Sequence, residues 1–165
     1  MEENRALIRE LPRGTTDSPV VEEIVKLERR LFPKHESLSS SFYQELGKKN
    51  GGLLYCVLLD EGKPKEQVVG YVMYFFPSSL YASVTKLAVR ENYRRKGYGE
   101  ALLKAAIEKC RSRRIQRICL HVDPLRRPAL CLYQKLGFQV DSIVESYYSA
   151  DRDAYRMYLD FDVKK

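Results

Sequence analysis

Residues 84–100 read Val84-Thr85-Lys86-Leu87-Ala88-Val89, then Arg90-Glu91-Asn92-Tyr93, then Arg94-Arg95-Lys96-Gly97-Tyr98-Gly99-Glu100. The first part closes an apolar, β-branched run from Tyr81 to Val89, the composition of a strand. Beyond Gly97 the period changes: Gly99, Leu103, Ala106, Ile107 and Cys110 fall on one helical stripe, which predicts a helix over 98–113. A strand is thus delivered through a glycine-containing turn onto a helix N-terminus. Glycines let backbone N–H groups approach an anion closely, the helix adds unpaired donors and a positive dipole end, and three basic side chains add charge-assisted bonds. The turn has the makings of a pyrophosphate cradle. It lacks the G-x-x-x-x-G-K-[ST] of a nucleotide-binding P-loop and the third glycine of a dinucleotide fingerprint. On spacing alone, a tight connection with incidental arginines fits equally well.

Residues 5–11 (RALIREL) predict a first strand. Asp17-Ser18-Pro19 offers a cap and an early proline for a helix to about Leu31, which Leu31-Phe32-Pro33 ends. A second short helix is predicted over Ser40–Lys48, closed by a turn at Asn50-Gly51-Gly52. Strands follow at Leu53–Leu59, Gln67–Phe76 and Tyr81–Val89, as an antiparallel meander. After the 98–113 helix come a strand at Ile115–Val122 and a helix at Pro128–Leu136 stopped by Gly137. Two strands at roughly 138–145 and 153–161 flank a loop at Tyr147–Arg152. The order β-α-α-β-β-β-α-β-α-β-β predicts a single α/β (α+β) domain over 1–165, a mixed and mostly antiparallel sheet of about seven strands flanked by about four helices.

The 165-residue length suits one domain. With 44% hydrophobic and 31% charged residues the chain is too apolar for disorder. The longest apolar run, Leu53–Leu59, is far too short to span a bilayer, and no secretory or transit signal is read at the N-terminus. Cys56, Cys110, Cys119 and Cys131 have no C-x-x-C spacing and lie in apolar runs, so reduced core thiols in a cytoplasmic protein are expected, with the nucleus as the alternative, and no metal site. The net charge of +7 is not spread evenly: residues 86–127 hold thirteen bases against four acids, so this segment carries +9 and the rest of the chain −2. An anionic partner is implied. Bases and aromatics do not interleave as on a nucleic-acid stacking sheet, which argues against that partner class. Arg111–Arg117 is not accounted for by the glycine turn.

Arg94-x-x-Gly97-x-Gly99 after its strand resembles the acetyl-CoA signature of the GNAT acetyltransferase superfamily. Ala129-Leu130-Cys131-Leu132-Tyr133-Gln134-Lys135-Leu136-Gly137-Phe138 is similar to that family's A-x-x-L-Y-x-x-x-G-F segment. The element order matches the family's fold over nearly the whole chain. Leu120-His121-Val122, twelve residues before Tyr133, and Tyr147–Tyr155 further resemble the catalytic subunits of N-terminal protein acetyltransferases, as does Leu31-Phe32-Pro33.

The resemblance implies direct attack of an amine on acetyl-CoA, with no acyl-enzyme and no metal. Leu87, Ala88 and Val89 would hold the pantetheine arm through backbone groups, and Arg94, Arg95, Lys96, Gly97, Tyr98, Gly99 and Glu100 the pyrophosphate. Tyr133 is the implied general acid, and His121 the candidate base. Strand alternation puts His121 on one face with Cys119 and Asp123. Tyr147 and Tyr148 would line a peptide mouth opposite Phe32 and Pro33, with Tyr81 and Thr85 on the substrate side. The acceptor implied is a protein N-terminus, with an auxiliary subunit or the ribosome as further partners. Lysine, polyamine or arylalkylamine acceptors remain alternatives, as does a non-catalytic nucleic-acid-binding or CoA-sensing module. Two departures stand out. Ser83 occupies a position where one subgroup has a catalytic tyrosine, and Arg126 replaces the asparagine of S-N-x-x-A, where it could still meet a CoA phosphate.

Overall fold

Strand β4 (Tyr81–Val89) lies where the reading above put it, and the rest of the order holds around it. The computed structural model describes residues 5–12, 18–32, 42–47, 49–59 and 66–161. Its elements are β1 (Arg5–Glu10), α1 (Pro19–Leu31), α2 (Phe42–Leu46), β2 (Gly51–Leu59), β3 (Gln67–Phe75), β4, α3 (Tyr98–Ser112), β5 (Arg117–Val122), α4 (Arg127–Lys135), β6 (Gln139–Ser149) and β7 (Arg152–Asp160). The seven strands are ordered β1-β2-β3-β4-β5-β7-β6. β4 and β5 run parallel, whereas β1–β2, β5–β7 and β6–β7 are antiparallel. The sheet is therefore mixed, as expected. None of the described helices is long and apolar enough to cross a membrane.

Two compact units divide the chain. The described residues of Met1–Tyr74 with Lys86–Ala106 make one, and those of Phe75–Thr85 with Ile107–Lys165 the other. In the first, Val21, Ile24, Val25 and Leu27 of α1 pack with Leu53, Tyr55 and Val57 of β2 and Val68, Tyr71 and Met73 of β3. Helix α1 starts where the sequence signals it: Ser18 Oγ accepts from the Val21 N–H at 3.2 Å, and Pro19 fills the first position, where its missing N–H costs nothing. Gly70 lets β3 approach β4 closely, since a Cβ there would sit 2.7 Å from the Ala88 carbonyl oxygen. In the second unit, Ile118, Leu120 and Val122 alternate inward along β5, with Ala154, Met157 and Phe138 buried beside them.

Several expectations need correcting. Gly51 and Gly52 open β2 and do not form a turn: a Cβ at Gly52 would lie 2.6 Å from the Tyr74 ring, so glycine serves ring packing there. Among the described residues helix α2 covers Phe42–Leu46 and Gly47 is already outside it; Ser40, Ser41 and Lys48 of the expected span lie outside the described residues. All four cysteines are free, yet only Cys56 and Cys110 are core residues; Cys119 is half-buried, and Cys131 lies on the exposed side of α4. Leu102, one step off the α3 stripe, is fully buried. The largest difference concerns the C-terminal hairpin. Tyr147 and Tyr148 lie inside β6, and the loop is reduced to Ala150-Asp151.

Candidate active site

The first unit contributes the glycine turn. Arg94, Arg95, Lys96 and Gly97 are exposed, and the Arg94 Nε donates to the Val89 carbonyl at 3.3 Å. Arg95 (φ 63°) and Gly97 (φ 86°) both adopt left-handed backbone, the conformation that turns successive N–H groups toward one side. The first helical bond of α3 runs from Ala101 N to Gly97 O at 3.0 Å. The N–H groups of Tyr98, Gly99 and Glu100 therefore precede any intrahelical partner and stand at the positive end of the helix dipole. A Cβ built on Gly97 meets nothing within 4 Å, so the space over the turn is open. Glu100 ion-pairs with Lys104 at 3.4 Å, which partly offsets its negative charge at this anion-binding end.

Strand β4 pairs with β5 only over Tyr81–Val84 against Arg117–Leu120. Within the second unit, Thr85 is the next residue of β4 past that register. In the first unit, Lys86 Nζ sits 3.5 Å from the Phe32 ring centroid and 3.9 Å from the fully buried Glu28 carboxylate. The cation tethers Phe32 at the end of α1. Pro33 lies outside the described residues.

The second unit gathers the catalytic candidates. His121 is half-buried on β5, and the Tyr147 ring stacks flat on its imidazole, centroids 4.4 Å apart and planes at 9°. Tyr148 meets Tyr147 edge-on at 4.9 Å. Tyr147 reaches His121 across β7 because β6 is bulged: from Val144↔Ala154 to Ser149↔Arg152, β6 advances five residues while β7 advances two. Ser146 (φ 53°) makes the bend, held by its N–H to Asp153 Oδ1 at 2.9 Å and its Oγ to the Ala150 carbonyl at 3.0 Å. Burial pushes the His121 pKa below the ordinary imidazole value, and the Arg156 guanidinium, directly opposite on β7, pushes the same way.

Tyr133 is 7% exposed on the inner side of α4, edge-on to Phe138 at 5.8 Å. Burial raises its pKa to about 12, against a smaller downward pull from Arg126. Arg126 caps α4, its N–H donating to the Asp123 carbonyl at 3.0 Å. Asp123 is buried. Desolvation alone would raise its pKa, but the Leu125 N–H (2.9 Å) and the Arg152 and Arg126 guanidiniums hold it below the ordinary value. Thr85 stands one step beyond Val84↔Leu120, level with His121 and on the same sheet face, and its buried Oγ1 has no hydrogen-bond partner among the described residues. Tyr81 is four residues away, opposite Arg117, and is not brought to His121.

The structure also shows contributors that were not singled out as site residues: Lys86, which steadies Phe32, and the Asp123–Arg152 pair beneath the hairpin. No local pattern signals either, because the partners are 54 and 29 residues apart. Among the described residues, no His, Cys, Asp and Glu side chains gather in threes as a metal site requires.

The open, donor-rich turn has the chemistry of an anion site. Residues 21–138 match the family described as Acetyltransferase (GNAT) family. Over 149 residues the chain is 30% identical to an N-alpha-acetyltransferase of Saccharolobus solfataricus, covering 83% of this chain and 85% of the relative. Among solved structures, Arabidopsis thaliana NAA60 in complex with acetyl-CoA superposes with a TM-score of 0.78 at 19% identity, covering 96% of this chain and all of that one. The ribosomal-protein-S18-alanine N-acetyltransferase from Escherichia coli gives 0.76 at 23% identity, over 98% and 97%.

Proposed function

Given that the chain belongs to the GNAT acetyltransferase family and uses acetyl-CoA as donor, we propose that its acceptor is the α-amino group of a protein or peptide N-terminus. The observation that carries this reading is the half-buried His121 beneath Tyr147, with its pKa pushed down. An imidazole below ~6.5 is a weak base. Taking a proton from an α-ammonium near ~8 is uphill by at least ~1.5 pKa units, about 2 kcal/mol; from a lysine near ~10.4 it is ~4 units, about 5 kcal/mol. Of the two acceptors, the α-ammonium gives up its proton to such a base at the lower cost. The relative from Saccharolobus solfataricus, named as an N-alpha-acetyltransferase, supports the same choice.

In this reading the acetyl-CoA thioester supplies the activated acetyl group, and the amine nitrogen attacks its carbonyl carbon as the C–S bond breaks. Before the attack His121 takes the ammonium proton, directly or through water, and the proton that the nitrogen sheds after the attack goes to the departing thiolate or to water. Tyr133 would act at the sulfur. A phenol at about 12 holds its proton against a thiolate whose conjugate acid lies near ~8.5 by ~3.5 units, or about 5 kcal/mol. Its role is then to donate a hydrogen bond to the departing thiolate, a narrower task than full proton transfer. Leu87–Val89 would bind the arm, and Arg94–Glu100, with Arg126 as a further cation, the phosphates. Phe32, Thr85, Tyr147 and Tyr148 would receive the peptide.

The test is a panel of free-N-terminal peptides, N-terminally blocked lysine peptides, polyamines and arylalkylamines, each with acetyl-CoA. Acetylation of the free-N-terminal peptides at the α-nitrogen is expected. Product confined to lysine side chains or small amines would overturn the assignment.

A further inference from the structure

The hairpin that carries Tyr147 and Tyr148 is tied at its base. Arg152, the first residue of β7, forms a close ion pair with Asp123 Oδ2, two residues past His121 at the end of β5. Asp123 is 3% exposed, and its other carboxylate oxygen accepts from the Leu125 N–H, so its orientation is fixed from both sides. The Arg152 guanidinium lies 5.8 Å from the Tyr148 ring centroid, Tyr148 packs edge-on against Tyr147, and Tyr147 lies flat on His121. The path therefore leaves β5 at Asp123, crosses the hairpin, and returns to β5 at His121. The β6 bulge is where such a tie has most to act on. Three residues of β6 have no counterpart on β7 there, and Ser146 takes a left-handed conformation at the bend.

We propose that Arg152, held by Asp123, is a positioning residue that fixes the Tyr147–Tyr148 bulge over His121 and thereby sets recognition of the acceptor amine. The proposal rests on the N-terminal reading for its substrate but not for its geometry. Loss of the pair frees the bulge, lifts Tyr147 from the imidazole, and weakens acceptor binding while the glycine turn in the other unit keeps acetyl-CoA.

The experiment has two arms. In the kinetic arm, Arg152→Ala and Asp123→Asn should raise the acceptor-peptide KM on the order of tenfold, with the acetyl-CoA KM changed less than twofold, and Arg152→Lys should recover part of the loss. The second arm needs no activity. The chain has only two histidines, so in a His35→Gln background the His121 proton resonances can be followed by NMR through a pH titration. Among the described residues, the charged and titratable groups beside His121 are Arg156 on β7, Tyr147 on β6, Cys119 on β5 and Asp123 just past the end of β5. Removing the Arg152 cation would by charge alone raise the His121 midpoint, and removing the Asp123 anion would lower it. Repositioning predicts that both variants raise it toward ~6.5 and abolish the ring-current shift from Tyr147. Should Arg152→Ala fail to fold, Tyr148→Leu interrupts the same path with the ion pair intact and should give the same NMR change. Midpoints moving in opposite directions with the ring-current shift unchanged, or equal changes in both KM values, would overturn the proposal. A His121 response in a protein that acetylates no peptide N-terminus would leave the positioning role standing and remove the N-terminal reading.

Discussion

Burial acts on Tyr133 and His121 in the same way, favouring the neutral form of each, but the consequences are opposite: a phenol that keeps its proton and an imidazole that stays free to accept one. Tyr133→Phe removes one hydrogen-bond donor from the proposed thiolate interaction, worth ~1.5–3 kcal/mol for a charged partner, so kcat should fall roughly 10–100-fold. The acetyl-CoA Kd should stay within about twofold; an unchanged kcat in steady-state assays would remove the role. For His121 the depressed pKa sets the sign of the pH dependence. Protonation switches off the base, so the acid limb of kcat should lie below pH ~6.5 and disappear in His121→Gln. These two residues were legible before the structure because the motifs surround them. Their environments were not, since burial belongs to the neighbours that fold over them.

At the scale of elements, the β4–turn–α3 unit concentrates anion binding in backbone donors, which makes glycine geometry decisive. Gly97→Ala places a Cβ in open space, so its cost is confined to the left-handed φ, about 1–2 kcal/mol. In a chain of this size that lowers Tm by roughly 2–8 °C. Acetyl-CoA at ~100 times its Kd should stabilise the wild-type by about 2.7 kcal/mol, readable as a Tm increase in a thermal-shift assay. Gly97→Glu adds an anion where the phosphates bind and should abolish that increase. A shift of wild-type size in Gly97→Glu would show that the phosphates bind elsewhere. The β6–β7 hairpin illustrates what local pattern misses: Tyr147–Ser149 looked like loop because a bulge interrupts the alternation, and the strand resumes only through pairing with β7.

Across the whole molecule, three of the four arginines in Arg111–Arg117 have internal partners. Arg113 lies over Phe76 at 4.5 Å, Arg111 over Phe161 at 5.2 Å, and Arg117 over Tyr158 at 4.5 Å while it bonds Asp160 at 2.6 Å. Arg111 also approaches Glu108 at 4.0 Å and sits in the last turn of α3, where cations suit the helix dipole. The positive excess that remains functionally informative is the group leading into Gly97. Raising ionic strength from 50 to 300 mM should therefore increase the acetyl-CoA KM several-fold by screening, with little change for an uncharged acceptor peptide. The double variant Arg111→Ala/Arg113→Ala should retain that salt dependence. Loss of it there would assign the distal arginines to the donor site.

The element order, the glycine turn with its three bases, the helix of Tyr133 and the strand of His121 are all legible in the amino-acid order alone. Each is written in short-range terms: side-chain period, caps, and residues that permit particular backbone angles. Folding added that β4 and β5 stop pairing after Val84↔Leu120, that Phe32 is steadied by Lys86, and that Tyr147 covers His121 from a hairpin anchored by Asp123 and Arg152. Those depend on where β4 and β5 stop pairing and on contacts between residues distant in the chain, whose energies exist only once the sheet has brought the partners together.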